Sequence, residues 1–366
     1  MKIVLVGGGT GGHIYPALAI ARGIQERVPD IEILYVGTAR GMESRIVPEA
    51  GLAFATIDAG GLNRHSLFKA MGSLARVPRG FWQARTLLKE FRPDLVVGTG
   101  GYVSYPVVMA ASIQGIKTVI HEQNAYPGLA NRAVAGRVEH VLLTFAEAQE
   151  HLKARRVSVT GLPVRSEILA ARRNEGLRQL GFSEGIFTLV AFGGSRGAMS
   201  INQAMLRVIE RYLMEKIQIL WITGETGYNE MIRELPRPTG GRGVLTLKVL
   251  PYMSNIEDAL AAASLVVCRA GAATLAELAV LGVPAILVPY PYAAENHQEK
   301  NALSLKAKGA AQVIIDEFLD GDVLFDRVEK LRNDPSRLRR MAESMQKEGK
   351  PEALQEIVDI IMSYLG

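Results

Sequence analysis

The stretch KIVLVGGGTGGHIYPALAIARGI, Lys2 to Ile24, runs from a β-branched segment through a burst of glycines into a segment with an apolar stripe. Ile3, Val4, Leu5 and Val6 are apolar without alternation, the pattern of a strand buried on both faces of a parallel sheet. At Gly7, Gly8, Gly9, Gly11 and Gly12 there is no Cβ, so the chain can turn sharply and a ligand can come close to main-chain N–H groups. Pro16 suits a first helical turn, and Ala17, Leu18, Ile20, Ala21 and Ile24 give that helix a face to pack. A helix starting over the loop favours an anion there, such as a diphosphate. Gly7, Gly9 and Gly12 fit the G-x-G-x-x-G of dinucleotide-binding domains, but that reading needs an acidic residue closing the second strand. The second strand, Ile33 to Val36, ends instead in Gly37-Thr38, with Glu32 at its beginning. His13 sits where the loop becomes the helix; it is either a capping or core histidine or a catalytic one, and the loop alone leaves both open.

Composition narrows the class. A chain of 366 residues is long for a single core and suggests two domains. With 48% hydrophobic and 22% charged residues it is ordinary globular material rather than a disordered chain. One cysteine, Cys268, makes no internal disulfide, which fits a reducing cytoplasm. No basic-apolar-cleavage signal precedes the strand at residue 3, and no apolar run of about 18 residues offers a membrane span. The net charge of +5 points to an acidic partner without choosing among nucleic acid, anionic lipid and a phosphorylated substrate.

Further strand-like runs occur at 33–36, 95–97, 118–120, 141–144 and 157–160, separated in several places by helix-length segments. That alternation predicts a βαβ parallel sheet with right-handed crossovers. A second series, at 187–192, 217–222, 244–249, 265–268, 285–288 and 312–315, predicts a second sheet. It opens as the first does, because Leu189 to Met205 repeats strand, glycine loop and helix. The expected fold class is therefore α/β, two Rossmann-like domains joined near Gly161-Leu162-Pro163 with a ligand cleft between them. Residues 352–365 carry Leu354, Ile357, Ile360, Ile361 and Leu365 at helical spacing, a closing helix. Between Leu62 and Arg92, Arg64, Lys69, Arg76, Arg79, Arg85, Lys89 and Arg92 meet one acid, Glu90, and alternate with Phe68, Phe81, Trp82 and aliphatic residues. Such a segment suits an anionic membrane surface or an ordinary solvated helical hairpin. No nucleic-acid-binding signature accompanies the charge.

Chemistry belongs in loops that follow strands. Gly98 to Pro106, GTGGYVSYP, is a second glycine-rich turn, and two such loops in one half suggest a bulky anionic ligand. His121-Glu122-Gln123-Asn124 places four polar side chains at a strand end, where they either satisfy the loop backbone or converge with His13. In the second half, Gly193 to Ala198 sets main-chain donors and the Ser195 hydroxyl at a helix N-terminus, suited to a phosphate. Arg269 to Glu277 offers small residues and then one carboxylate, either a ribose acceptor or a partner of the helix dipole. Glu295-Asn296-His297-Gln298 carries groups able to hydrogen-bond a sugar. Asp320-Gly321-Asp322 has D-x-D spacing but lies in an acidic turn after no phosphate loop, so it is read as a solvated turn and not as a metal site.

Together GGGTGGH, GTGGY, HEQN, PVR, GGSRGA, RAGAATLAE and ENHQ, in this order from Lys2 to about Asn301, closely resemble the MurG family of bacterial GT-B glycosyltransferases. The resemblance implies an inverting transfer of N-acetylglucosamine (GlcNAc) from UDP-GlcNAc to the 4-hydroxyl of N-acetylmuramic acid (MurNAc) in undecaprenyl-pyrophosphoryl-MurNAc-pentapeptide, turning lipid I into lipid II for peptidoglycan. It implies an acceptor and membrane-facing domain at 1–163, with the helix at 352–366 packed back on it, and a UDP-sugar domain at 164–351. Carried over by motif, Thr10, Gly11, Gly12 and Asn124 contact the donor sugar or pyrophosphate, while Arg165 and Ser195 hold phosphate. Met253 and Ala272, Ala273, Thr274, Leu275, Ala276 and Glu277 hold uridine, with Glu277 on the ribose, and Gln298 holds GlcNAc. His13 is the matching general base and Glu122 the runner-up. No cofactor is implied, Mg²⁺ being at most non-essential, because helix dipoles face the leaving diphosphate. The resemblance also tips the 62–92 segment toward the cytoplasmic face of the inner membrane, peripherally bound, with cell-wall and division proteins as further partners and no nucleic acid. Two positions depart from the family: Leu162 where Asn is usual and Tyr105 where a small Gly is common.

Two other functions fit the same residues. One is a UDP-GlcNAc epimerase with no lipid acceptor, the other a catalytically silent nucleotide sensor or scaffold.

Overall fold

The apolar runs become the central strands of two parallel sheets in the computed structural model, which describes residues 1–60, 67–194, 197–237 and 244–365, with only the helical backbone over 67–77. The chain divides into two units, Met1–Pro163 with Lys350–Gly366, and Val164–Gly349.

In unit 1 the strands are β1 (Lys2–Gly7), β2 (Glu32–Gly37), β3 (Ala53–Thr56), β4 (Leu95–Gly100), β5 (Lys117–Glu122), β6 (His140–Leu143) and β7 (Val157–Val159). They lie in the order β3-β2-β1-β4-β5-β6-β7, all parallel. The order reverses between β1 and β4, so the switch point of the sheet lies at the two glycine loops. Alternate residues of β1 serve opposite faces. Ile3 and Leu5 pack with the helices Gly11–Arg27 and Ala353–Ser363, whereas Val4 and Val6 pack with Val103, Val107 and Leu88 on the other side. Edge strand β3 has no counterpart among the sequence expectations. It is four residues long, AFAT, with none buried, so it shows neither an apolar run nor a clean alternation.

Two glycines are placed by sterics. Gly101 (φ +82°) lies where a Cβ would run into the Gly8 carbonyl, so the glycine loops after β1 and β4 pack backbone to backbone. Gly161 (φ +84°) sits where a Cβ would meet Lys350 and Ala353. The chain therefore leaves unit 1 beside the point where it returns. Leu162 is buried, and Tyr105 packs against the β4-side core.

Unit 2 repeats the plan with β8 (Thr188–Phe192), β9 (Gln218–Ile222), β10 (Thr246–Leu250), β11 (Leu265–Cys268), β12 (Ala285–Leu287) and β13 (Ala311–Val313), in the order β10-β9-β8-β11-β12-β13. Its reversal falls between β8 and β11. Trp221 and Tyr212, both fully buried, anchor a core shared by the sheet and the helices Met199–Tyr212 and Gly321–Arg332.

Candidate active site

In unit 1 the helix Gly11–Arg27 starts at the switch point with Thr10 as its N-cap residue. The N–H groups of Gly11 and Gly12 have no acceptor within the helix, and Thr10 and Gly12 are exposed, so this end presents donors to an anion. The preceding loop is less available than its glycines suggest. Gly9 N–H donates to Glu43 Oε2 (3.1 Å), and the fully buried Glu43 also accepts from Thr38 N–H (3.1 Å) and Thr38 Oγ1 (2.8 Å). A buried carboxylate beneath Gly8 and Gly9 thus holds the loop from below, and the helix N-terminus is left for ligand.

His13, half-buried, reaches across the sheet: Nδ1 lies 3.0 Å from the Thr99 carbonyl oxygen and 3.0 Å from Gln123 Oε1. Its Nε2 has no hydrogen-bond partner among the described residues. Glu122, the second candidate base, is differently placed. Only 1% exposed, it accepts from Asn124 N–H (3.0 Å) and Nδ2 (3.2 Å) on one oxygen, and from Gly128 N–H (3.0 Å) and Asn131 Nδ2 (2.8 Å) on the other. Four donors match the four lone-pair sites of a carboxylate, which leaves none for a substrate proton. Glu122 organises the loop 122–131 and, with it, Asn124, the geometry of a scaffold residue.

His121 is completely buried, with Nε2–H donated to the Gly161 carbonyl (2.8 Å). Burial pushes its pKa down from 6.5 to about 4, against the opposing pull of that hydrogen bond. A depressed folded value means that the neutral ring contributes stability above pH 6.5, lost as the pH falls toward 4 while the unfolded chain takes up the proton first. The loss amounts to about 3 kcal/mol. Urea unfolding at pH 7 and pH 4 should show it in the wild type and not in His121→Gln, and equal pH slopes in the two proteins would refute it.

In unit 2 a cavity of about 600 Å³ opens at the β8/β11 switch point. It is lined by Gly193, Gly194 and Gly197 to Ser200, by Gly271 and Thr274, and by Tyr290, Tyr292 and Gln298. The helices Met199–Tyr212 and Ala272–Leu281 both begin at it, bringing two positive dipole ends to one space. Gln298 accepts Tyr290 N–H with Oε1 (2.9 Å), leaving its NH₂ as a donor. The floor is Arg269, which donates to the Val288 and Pro289 carbonyls (3.1 and 3.2 Å), to Asp316 and to Ser200 Oγ (3.1 Å). Arg269, Asp316 and the Tyr290–Tyr292 pair belong to the site, yet the sequence expectations gave them no individual role, although Arg269 directly follows β11, at a carboxyl strand end.

Of the uridine-binding expectations, Thr274 and Gln298 line the cavity, while Met253, Ala272, Ala273, Ala276 and Glu277 are not among its lining residues. Leu275 is 1% exposed and turned inward with Leu278 and Ala279, so its side chain packs rather than binds. Glu277 lies beside Arg165, with Arg165 Nε 3.3 Å from Glu277 Oε1 and Nη1 3.7 Å from Glu257 Oε2. Burial raises the Glu277 pKa, and the Arg165 charge pulls it back. Ser195 lies outside the described residues. So do 62–66 of the basic segment, whose continuation is the helix Leu67–Phe91. In that helix Trp82 is exposed, with the Arg85 guanidinium 5.2 Å over its ring, and Phe81 packs inward. No helix among the described residues is long and apolar enough to cross a membrane. The D-x-D residues have structural work: Asp320 caps the helix Gly321–Arg332 through Val323 N–H, and Asp322 accepts from Arg207.

Two doubly wound parallel sheets, one carrying a bare imidazole nitrogen and the other a cavity faced by two helix N-termini, have the fold class of the GT-B nucleotide-sugar enzymes. The chain belongs to glycosyltransferase family 28: the N-terminal domain model of that family matches residues 3–143 and the C-terminal domain model residues 188–357. A UDP-N-acetylglucosamine--N-acetylmuramyl-(pentapeptide) pyrophosphoryl-undecaprenol N-acetylglucosamine transferase of Desulforudis audaxviator is 48% identical, covering 100% of this chain and 99% of the relative. One of Halothermothrix orenii with the same name is also 48% identical, covering 99% and 98%. Among solved structures, MurG of Acinetobacter baumannii superposes with a TM-score of 0.83 at 27% identity over 99% of both chains. A UDP-GlcNAc 2-epimerase of Neisseria meningitidis, covering 99% of this chain and 100% of its own, reaches 0.65 at 14% identity, a likeness of fold alone.

Proposed function

We infer that this protein transfers GlcNAc from UDP-GlcNAc to the MurNAc 4-hydroxyl of undecaprenyl-pyrophosphoryl-MurNAc-pentapeptide, giving lipid II. The observation that carries this reading is full-length identity of 41–48% to relatives bearing that name. Unit 1 takes the lipid acceptor and supplies the base; unit 2 takes the donor. His13 Nε2 receives the 4-hydroxyl proton as that oxygen attacks the anomeric carbon from the face opposite UDP. The new glycosidic bond forms as the bond to the β-phosphate oxygen breaks, and its electron pair leaves on UDP. The helix N-terminus at Thr10, Gly11 and Gly12, together with Asn124 on the loop that Glu122 holds, faces donor sugar or pyrophosphate. Arg165 and Ser195 hold phosphate. Met253 and the start of the helix at Ala272–Glu277 hold uridine, with Glu277 on the ribose once Arg165 turns to phosphate, and Gln298 donates to GlcNAc. Helix dipoles stabilise the developing diphosphate charge, so no metal is required.

The acceptor is a membrane lipid, and exposed Trp82 with Arg79 and Arg85 on the helix Leu67–Phe91 suits peripheral binding to an anionic inner-membrane surface from the cytoplasmic side. Other cell-wall and division proteins are partners of the same reading. The test is UDP release from UDP-GlcNAc in EDTA, with and without the lipid acceptor in anionic vesicles. Acceptor-dependent release with a disaccharide-lipid product supports the reaction; release without acceptor, or none with Mg²⁺ added, rejects it.

A further inference from the structure

We propose that Gln123, itself held by His121, is the positioning residue that fixes His13 in its Nδ1–H tautomer and so keeps Nε2 bare. This rests on the reading of His13 as the base. Hydrogen-bond chemistry supplies the direction of every link. The Gly161 carbonyl can only accept, so His121 Nε2 carries a proton (2.8 Å). Complete burial keeps that ring neutral, which leaves Nδ1 an acceptor, and Gln123 Nε2 donates to it at 3.0 Å. The same amide nitrogen donates to the His121 carbonyl oxygen, also at 3.0 Å, and a carbonyl accepts only. Nitrogen and oxygen of the Gln123 amide are therefore distinguished by their partners. Oε1 faces His13 Nδ1 (3.0 Å), and the Thr99 carbonyl faces the same nitrogen (3.0 Å). Two acceptors converge on one ring nitrogen, and only a protonated Nδ1 satisfies them.

The arrangement matters twice during turnover. Before transfer, it places the lone pair on Nε2, the nitrogen without a protein partner among the described residues. After the proton arrives, Nδ1–H still points at two oxygens, so the imidazolium charge is met without a carboxylate. Gln123 is 2% exposed and joined to Gly161 through His121, so its amide is not free to turn over.

The test is the ¹⁵N spectrum of histidine-labelled full-length protein, with the His13 signals assigned by their loss in His13→Gln. The expected result is a protonated Nδ1 and a bare Nε2 on neutral His13; a proton resident on Nε2 overturns the proposal whatever the activity. In Gln123→Met, which removes the acceptor at similar length, the Nδ1–H fraction should fall. kcat should drop roughly 10- to 100-fold with the KM for UDP-GlcNAc within about twofold, the scale of losing an orienting partner. A folded Gln123→Met protein with unchanged tautomer and kcat overturns the proposal; if that variant does not fold, the wild-type spectrum decides. Failure of the base reading looks different, because His13→Ala would then keep its turnover while the wild-type tautomer remained Nδ1–H.

Discussion

His13→Ala should lower kcat for transfer by roughly 100- to 10,000-fold, the range lost with a general base, while the KM for UDP-GlcNAc stays within about twofold. In the proposed reaction the imidazole meets the acceptor hydroxyl, so its loss removes a group needed in the transition state and no donor-binding contact. Stability should barely change. The side chain is half-buried, and its removal leaves the Thr99 carbonyl and Gln123 Oε1 at a position that water can reach, a cost of about 1 kcal/mol. Steady-state kinetics beside a thermal unfolding curve would check both halves. Turnover within about tenfold of wild type would remove His13 as the base.

Glu122→Ala should behave in the opposite way. Its carboxylate accepts four hydrogen bonds in a site that is 1% exposed, so truncation removes in one step the acceptor shared by Asn124, Gly128 and Asn131. The expected loss is about 3–5 kcal/mol of unit 1 stability. Activity should fail in step with unfolding and partly recover on cooling, a recovery that His13→Ala cannot show. Urea midpoints measured across temperature would separate the two residues, and a Glu122→Ala protein of full stability but no turnover would restore Glu122 as a candidate base.

That contrast marks what could be read from the chain alone. The strands were legible because both faces of each sheet are covered, which writes uninterrupted apolar runs such as Ile3 to Val6 and Leu265 to Cys268 into the sequence. The helix Ala353–Ser363 was legible from its period. Strand β3 was not, since an exposed edge imposes no such pattern. The inward turn of Leu275 was available in principle, because Leu275, Leu278 and Ala279 repeat at helical spacing. The partner of His13 was not available at all: Gln123 stands 110 residues away, and no local pattern reports which end of an amide faces a ring. Likewise Arg269 and Asp316, 47 residues apart, meet only because β11 and β13 flank the same strand.

The excursion of the chain out of unit 1 and back bears on how the protein is made. Unit 2 is one continuous span, 164–349, and can complete its sheet as soon as it clears the ribosome. Unit 1 cannot, because Ile357, Val358 and Ile361 supply part of the wall that covers β1 and the helix Gly11–Arg27. Until those residues emerge, the first half-sheet synthesised waits with Ile20, Ile24 and their neighbours bare, so the domain begun first is finished last. A fragment cut at Pro163 would stay in that unfinished condition, whereas 1–163 spliced to 350–366 contains everything its core requires.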